Sequence, residues 1–112
     1  MKMVTLLIRG EQLPAVKQAL FDAGLRHMTA TTVRGTASRT EQQMYRGQQR
    51  EISLFNRVRI ELAVKDENVE KALGAFAEGA NESGGYGRAF ITELHDVFTA
   101  WTGKRGADAL HQ

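Results

Sequence analysis

Two hydrophobic rhythms stand back to back between residues 58 and 80. Val58-Arg59-Ile60-Glu61-Leu62-Ala63-Val64 alternates, which puts Val58, Ile60, Leu62 and Val64 on one face of a strand. Val69, Ala72, Leu73, Phe76, Ala77 and Ala80 follow at the i, i+3, i+4, i+7, i+8, i+11 spacing of an amphipathic helix. A chain that passes from a period of two to the helical period across a short turn lays a helix on a sheet. Asp66 stands at the junction, where an aspartate side chain can cap the helix that follows.

The same alternation of elements occupies the first third. Residues 2–9 read as a strand through the β-prone run Val4-Thr5-Leu6-Leu7-Ile8, ended by Gly10. Leu13, Val16, Leu20 and Ala23 then share a helical face. Pro14 fits only the first turn of that helix, and Gly24 is placed to stop it. A β-branched strand runs from His27 to Val33, with Gly35 closing it. Thr36 to about Glu51 has no sustained period and almost no apolar content. Loops this long inside a compact domain are usually functional or disordered. After the central strand and helix come the turn Ser83-Gly84-Gly85-Tyr86-Gly87 and a last strand, Ala89-Phe90-Ile91-Thr92-Glu93-Leu94, with a short polar tail from about Phe98.

Strand, helix, strand, strand, helix, strand is the split βαβ, ferredoxin-like α+β arrangement, with an antiparallel sheet and a long loop between strands 2 and 3. Its 112 residues make one domain, 1–112. Both helices on one face leave the other face open, and Leu7 points there, opposite Leu6 and Ile8. A small domain with a half-covered sheet is expected to oligomerise.

Composition narrows the chemistry. With no cysteine, disulfides, thiolate nucleophiles and cysteine zinc sites are excluded. No stretch approaches the roughly 18 apolar residues of a membrane span, and the apolar N-terminal patch breaks too early for a signal peptide. The expectation is a soluble cytoplasmic domain that does not insert into membranes. Net charge is only +2. Yet between residues 34 and 59 lie six arginines, Arg34, Arg39, Arg46, Arg50, Arg57 and Arg59, against Glu41 and Glu51, a local excess of four. Arginine forks suit phosphates and carboxylates. Aromatic residues are too sparse there for a nucleic-acid platform, so an anionic ligand or partner is the reading, and no nucleic acid.

The pieces Thr29, Val33-Arg34-Gly35, Tyr45-Arg46-Gly47, Val58-Arg59-Ile60-Glu61, Gly85-Tyr86-Gly87-Arg88 with Phe90, and Thr102-Gly103 together resemble the PII signal-transduction proteins, from residue 1 to about Gly103. The resemblance implies a homotrimer that binds adenine nucleotides in clefts between subunits and presses long loops onto a target. It makes about 36–51 the T-loop, about 82–88 the B-loop and about 98–104 the C-loop. It implies nucleotide contacts at Thr29, Gly35, Thr36, Arg39, Arg57, Gly85, Tyr86, Gly87 and Arg88, with Tyr45, Arg46, Gly47 and Arg50 on the partner-binding loop. Gly85 and Gly87 let backbone N–H groups approach an anion, and Arg88 adds a charge-assisted fork.

Three departures alter what is implied. The family's Tyr-Arg-Gly-x-x-Tyr reads Tyr45-Arg46-Gly47-Gln48-Gln49-Arg50 here, so the acceptor hydroxyl for nucleotidylylation is gone. The glutamine that helps bind magnesium and 2-oxoglutarate aligns with Arg39, and arginine cannot ligate a cation. Gln42 or Gln43 is the remaining candidate for that role. Thr99 and Trp101 take the place of two C-loop arginines, with Lys104 and Arg105 just beyond. The expectation is weak binding of ADP or ATP without magnesium. The implied partner is a nitrogen-metabolism enzyme or a membrane transporter.

Two other readings compete. An enzyme lacks a nucleophile with its base and orienting acid, so no catalytic residue is assigned. Arg9, which an acylphosphatase cradle would use, reads as a strand-end surface charge. A CutA-like trimeric metal-binding protein shares the fold, but His27, His95 and His111 show no ligand spacing, and no metal site is assigned.

Overall fold

The computed structural model describes residues 1–37 and 52–110. Arg39, Tyr45, Arg46, Gly47 and Arg50, with most of the expected T-loop, and His111 lie outside the described residues. Six main elements follow in the expected order: β1 (Lys2–Ile8), α1 (Leu13–Asp22), β2 (Thr29–Thr36), β3 (Leu54–Val64), α2 (Val69–Glu82) and β4 (Arg88–Glu93). The four strands form one sheet in the order β2-β3-β1-β4, every neighbour antiparallel. This is the ferredoxin-like α+β fold that the order of periods implied.

Strand alternation decides the core. Leu6 stands opposite Ile60 on one side and Ala89 on the other. Val4, Leu6 and Ile8 of β1 are buried with Val58, Ile60, Leu62 and Val64 of β3. Val16 and Leu20 of α1, and Ala72, Ala75, Phe76 and Ala80 of α2, cover that row. The other row, with Met3, Thr5 and Leu7 of β1, is only half-buried, so among the described residues no element covers this face of the sheet as the helices cover the other. Ala77, placed by its spacing on the buried face of α2, is exposed; Ala75 and Gly79 are buried instead. The cause is the close crossing of the helices: a Cβ at Gly79 would stand 2.7 Å from the Val16 Cα, so the helix turns its small residues toward α1.

Both helices end in the same way. Gly24 has a positive φ of 88° and donates to the Phe21 carbonyl, while Leu25 donates to the Leu20 carbonyl, each at 3.0 Å. This is the Schellman arrangement that a glycine after the helix permits. At the end of α2, Gly84 has φ 112° and the Gly85 N–H reaches the Ala80 carbonyl at 2.7 Å. The starts differ from expectation. Asp66 does not cap α2 with its side chain. Its Oδ1 accepts from the Met1 amino group at 2.8 Å and lies 3.4 Å from Lys2 Nζ. The hydrogen bond from the amino terminus, then the charge of Lys2, hold the Asp66 carboxyl below its usual range. A long-range cation outcompetes the local backbone here.

Gly35 does not close β2. It pairs with Phe55 inside the ladder, and the strand continues to Thr36 opposite Leu54. The polar tail is folded as well. Phe98 bridges Arg105, and a short 3-10 turn covers Gly106–Ala109. Among the described residues no helix is long and apolar enough to cross a membrane.

Candidate functional site

The site is assembled where β1 and α2 end and β4 begins. Gly87 is fixed there by two independent demands. Its φ is 150°, and a Cβ on it would lie 2.8 Å from Phe76 Cζ and 3.4 Å from Ile8 Cγ2. The loop therefore runs directly over the core, and Arg88 emerges from it as the exposed first residue of β4, opposite Leu7.

Tyr86, just before, is held from three sides. Its carbonyl oxygen accepts from Gln12 Nε2 at 2.7 Å. Its phenol oxygen accepts from Arg57 Nε at 3.2 Å. The Arg9 and Arg57 guanidinium carbons lie 4.5 and 5.1 Å from its ring centroid, both within cation–π range. Gln12 is only 1 % exposed. Its Oε1 accepts from the Arg9 N–H at 2.9 Å, so one amide ties the end of β1 to the loop before β4. Buried polar groups need such partners, and these are in place.

The structure brings several expected residues together and separates one. Arg57, 5 % exposed, lies against Tyr86, with Gly35 beside it: a Cβ at Gly35 would be 4.0 Å from Arg57 Cγ. Gly87 and Arg88 adjoin the same loop. Gly85 takes part through its conformation, because its N–H is given to Ala80. Thr36 ends β2, exposed, on the far side of Gly35. Thr29 sits at the other end of β2, opposite Glu61. Six residue steps along the strand separate it from Gly35, about 20 Å. There it lines an open pocket of about 410 Å3 with Met3, Met28, Glu61 and Leu62.

Of the C-loop residues, Thr99 is buried, and its hydroxyl donates to the Ala109 carbonyl at 3.0 Å. Trp101 is 79 % exposed. Glu93 accepts from Lys2 Nζ at 2.6 Å, and this bond foremost raises the Lys2 pKa. Asp96 pairs with Arg105. Among the described residues no three His, Cys, Asp or Glu side chains gather to hold a metal ion.

Gln12 and Arg9 are the residues around this loop that the sequence did not reveal. Arg9, read as a strand-end surface charge, lies over the Tyr86 ring. Nothing local in Arg9-Gly10-Glu11-Gln12 announces partners more than seventy residues away.

A ferredoxin-like domain whose glycine turn is pressed onto the core, with an arginine at its exit, is the class this fold and loop define. The family profile described as Nitrogen regulatory protein P-II matches residues 1–104. Nitrogen regulatory protein P-II 1 of Methanothermobacter thermautotrophicus is 34% identical over 112 residues, covering 98% of this chain and 97% of its own. Nitrogen regulatory protein GlnK1 of Methanosarcina mazei is 33% identical over 114 residues, with 98% and 97% covered. A nitrogen regulatory protein P-II of Azospirillum brasilense is 30% identical, with 98% and 100% covered. The chain belongs to the nitrogen regulatory protein P-II family and is a PII-type regulatory protein.

Proposed function

We propose that the chain works as a homotrimer that binds ADP or ATP weakly between subunits and so controls a partner, a nitrogen-metabolism enzyme or a membrane transporter, through the segment 36–51. The observation that carries this reading is the seat of Gly87 on Phe76, which brings Arg88 out of a glycine turn two residues after Tyr86, the ring that Arg57 lies against. Cations gathered at such a turn are what a phosphate chain requires.

The trimer gives the distant half of the site a purpose. The Thr29 pocket has an apolar floor with His27, Thr29 and Glu61 as polar groups, which suits a purine base. It lies across the sheet from Arg88 of its own chain, since β2 and β4 are the two edge strands. A closed ring of subunits sets the pocket of one against the loop of the next, and buries the open sheet face at the same time.

The C-loop adds no phosphate charge at its two arginine positions: the Thr99 hydroxyl is committed to Ala109, and Trp101 is neutral. ATP should therefore exceed ADP in affinity by less than about tenfold. Calorimetry with ATP, ADP and AMP on the wild type and Arg88→Ala tests the reading. Weak binding with little preference, lost in Arg88→Ala, is the expected result. Tight ATP-selective binding that survives the substitution would show the phosphates lie elsewhere.

A further inference from the structure

We propose that Tyr86 is a gate on Arg57: its phenol and an incoming anion compete for the same guanidinium. The inference rests on the anion-binding reading of this loop and concerns how that site is regulated.

The geometry is specific. A guanidinium offers a side-on fork made of Nε and Nη2, and bidentate recognition of a carboxylate or phosphate needs both arms. In Arg57 the Nε arm is donated to the Tyr86 phenol oxygen at 3.2 Å, while Nη1 donates to the Asn56 carbonyl at 2.9 Å. The tyrosine ring also lies over the guanidinium, 5.1 Å from centroid to carbon. Arg57 is 5 % exposed in this arrangement. An anion that takes the side-on fork must first remove the phenol.

Two features make the ring the part that yields. Asn56 is strand backbone, paired with Arg34 in the β2–β3 ladder, and cannot withdraw. The Tyr86 main chain is pinned by Gln12. Rotation about the side-chain bonds of Tyr86 frees Nε without disturbing either anchor. Arg9, 4.5 Å from the ring centroid, stabilises the closed position by a second cation–π contact. Tyr86 is thus a neutral occupant of a cationic site. It screens Arg57 in the free protein and sets a threshold for anions that bind with a single weak contact.

Inorganic pyrophosphate is the probe. Calorimetry compares the wild type, Tyr86→Phe, and Tyr86→Phe combined with Arg57→Gln. Phenylalanine keeps the ring and removes the competing oxygen, so Tyr86→Phe should bind on the order of tenfold more tightly than the wild type. Adding Arg57→Gln should abolish that gain. Equal or weaker binding by Tyr86→Phe overturns the gate, as does the absence of binding to both proteins, or a gain that persists without Arg57. The single variant, a conservative change, decides the matter should the double variant fail to fold. A parallel ADP titration of the wild type separates the two readings. Failure to bind ADP removes the nucleotide reading and leaves the pyrophosphate comparison to decide the gate.

Discussion

Gln12 and Tyr86, 74 positions apart in the chain, are joined by a 2.7 Å hydrogen bond from the glutamine Nε2 to the tyrosine carbonyl oxygen. Gln12→Leu fits the buried volume but leaves that carbonyl and the Arg9 N–H without partners. An unsatisfied buried group costs about 1–3 kcal/mol. Urea denaturation should show a loss of that size, and Gln12→Glu, which retains the acceptor for Arg9, should not restore it. An unchanged midpoint for Gln12→Leu would show that the loop stands without this bond.

Two glycines in α2 should respond with opposite signs. At Gly79 an added Cβ meets the Val16 Cα at 2.7 Å and the Ala15 carbonyl oxygen at 2.9 Å, both backbone atoms of α1. Gly79→Ala should destabilise the domain by about 1–3 kcal/mol through overpacking. Gly74 has nothing within 4 Å of such a Cβ. Gly74→Ala should stabilise by about 0.5–1 kcal/mol, the ordinary helix gain of alanine over glycine. Thermal or urea melts of the two variants check this, and the same sign in both would refute the close helix crossing.

Oligomerisation has its own variant. Leu7 lies on the sheet face away from the helices, outside the core cluster. Leu7→Glu should leave the circular dichroism of the subunit intact while converting a trimer into monomers by light scattering. A wild type that scatters as a monomer at micromolar concentration would remove the inter-subunit cleft altogether.

Asp96 makes the C-terminal turn sensitive to acid. Its carboxylate pairs with Arg105 and accepts from the Val97 and Gly106 N–H groups at 2.8 and 3.0 Å. The Arg105 bond first, then the Val97 N–H, hold its pKa below the usual range. A depressed folded pKa gives stability that is complete above the unfolded value, about 3.9, and is lost as pH falls through the folded one. Trp101, the chain's single tryptophan, sits inside this turn. Its fluorescence anisotropy should therefore fall below about pH 4, before the sheet unfolds. Asp96→Asn should show the mobile value already at neutral pH.

The parts legible in the sequence were those governed by period. The β3 alternation predicted its buried row, and the α2 stripe its buried face except at Ala77, because one rule acts on many residues at once. Single residues read by local rules fared less well. Gly35 resembles a strand stop, yet ladder pairing with Phe55 carries the strand through it. Asp66 resembles a helix cap, yet the amino terminus claims its carboxylate. The site divides in the same way. Gly87 and Arg88 stood out in a glycine-rich turn. Gln12 and Arg9 owe their places to a distant partner, Tyr86, that no neighbouring residue encodes.

The turn from Asp96 to Gly106 carries a consequence for association. Its backbone is closed by Thr99 with Lys104, by Gly103 with Thr99, and by the buried Thr99 hydroxyl with Ala109. Exposed loops usually surrender conformational freedom when they meet a partner, and the loss subtracts from affinity. Here that freedom is given up when the chain folds. Trp101 stands exposed on this closed backbone, so a partner that met it would find the backbone's ordering cost already met.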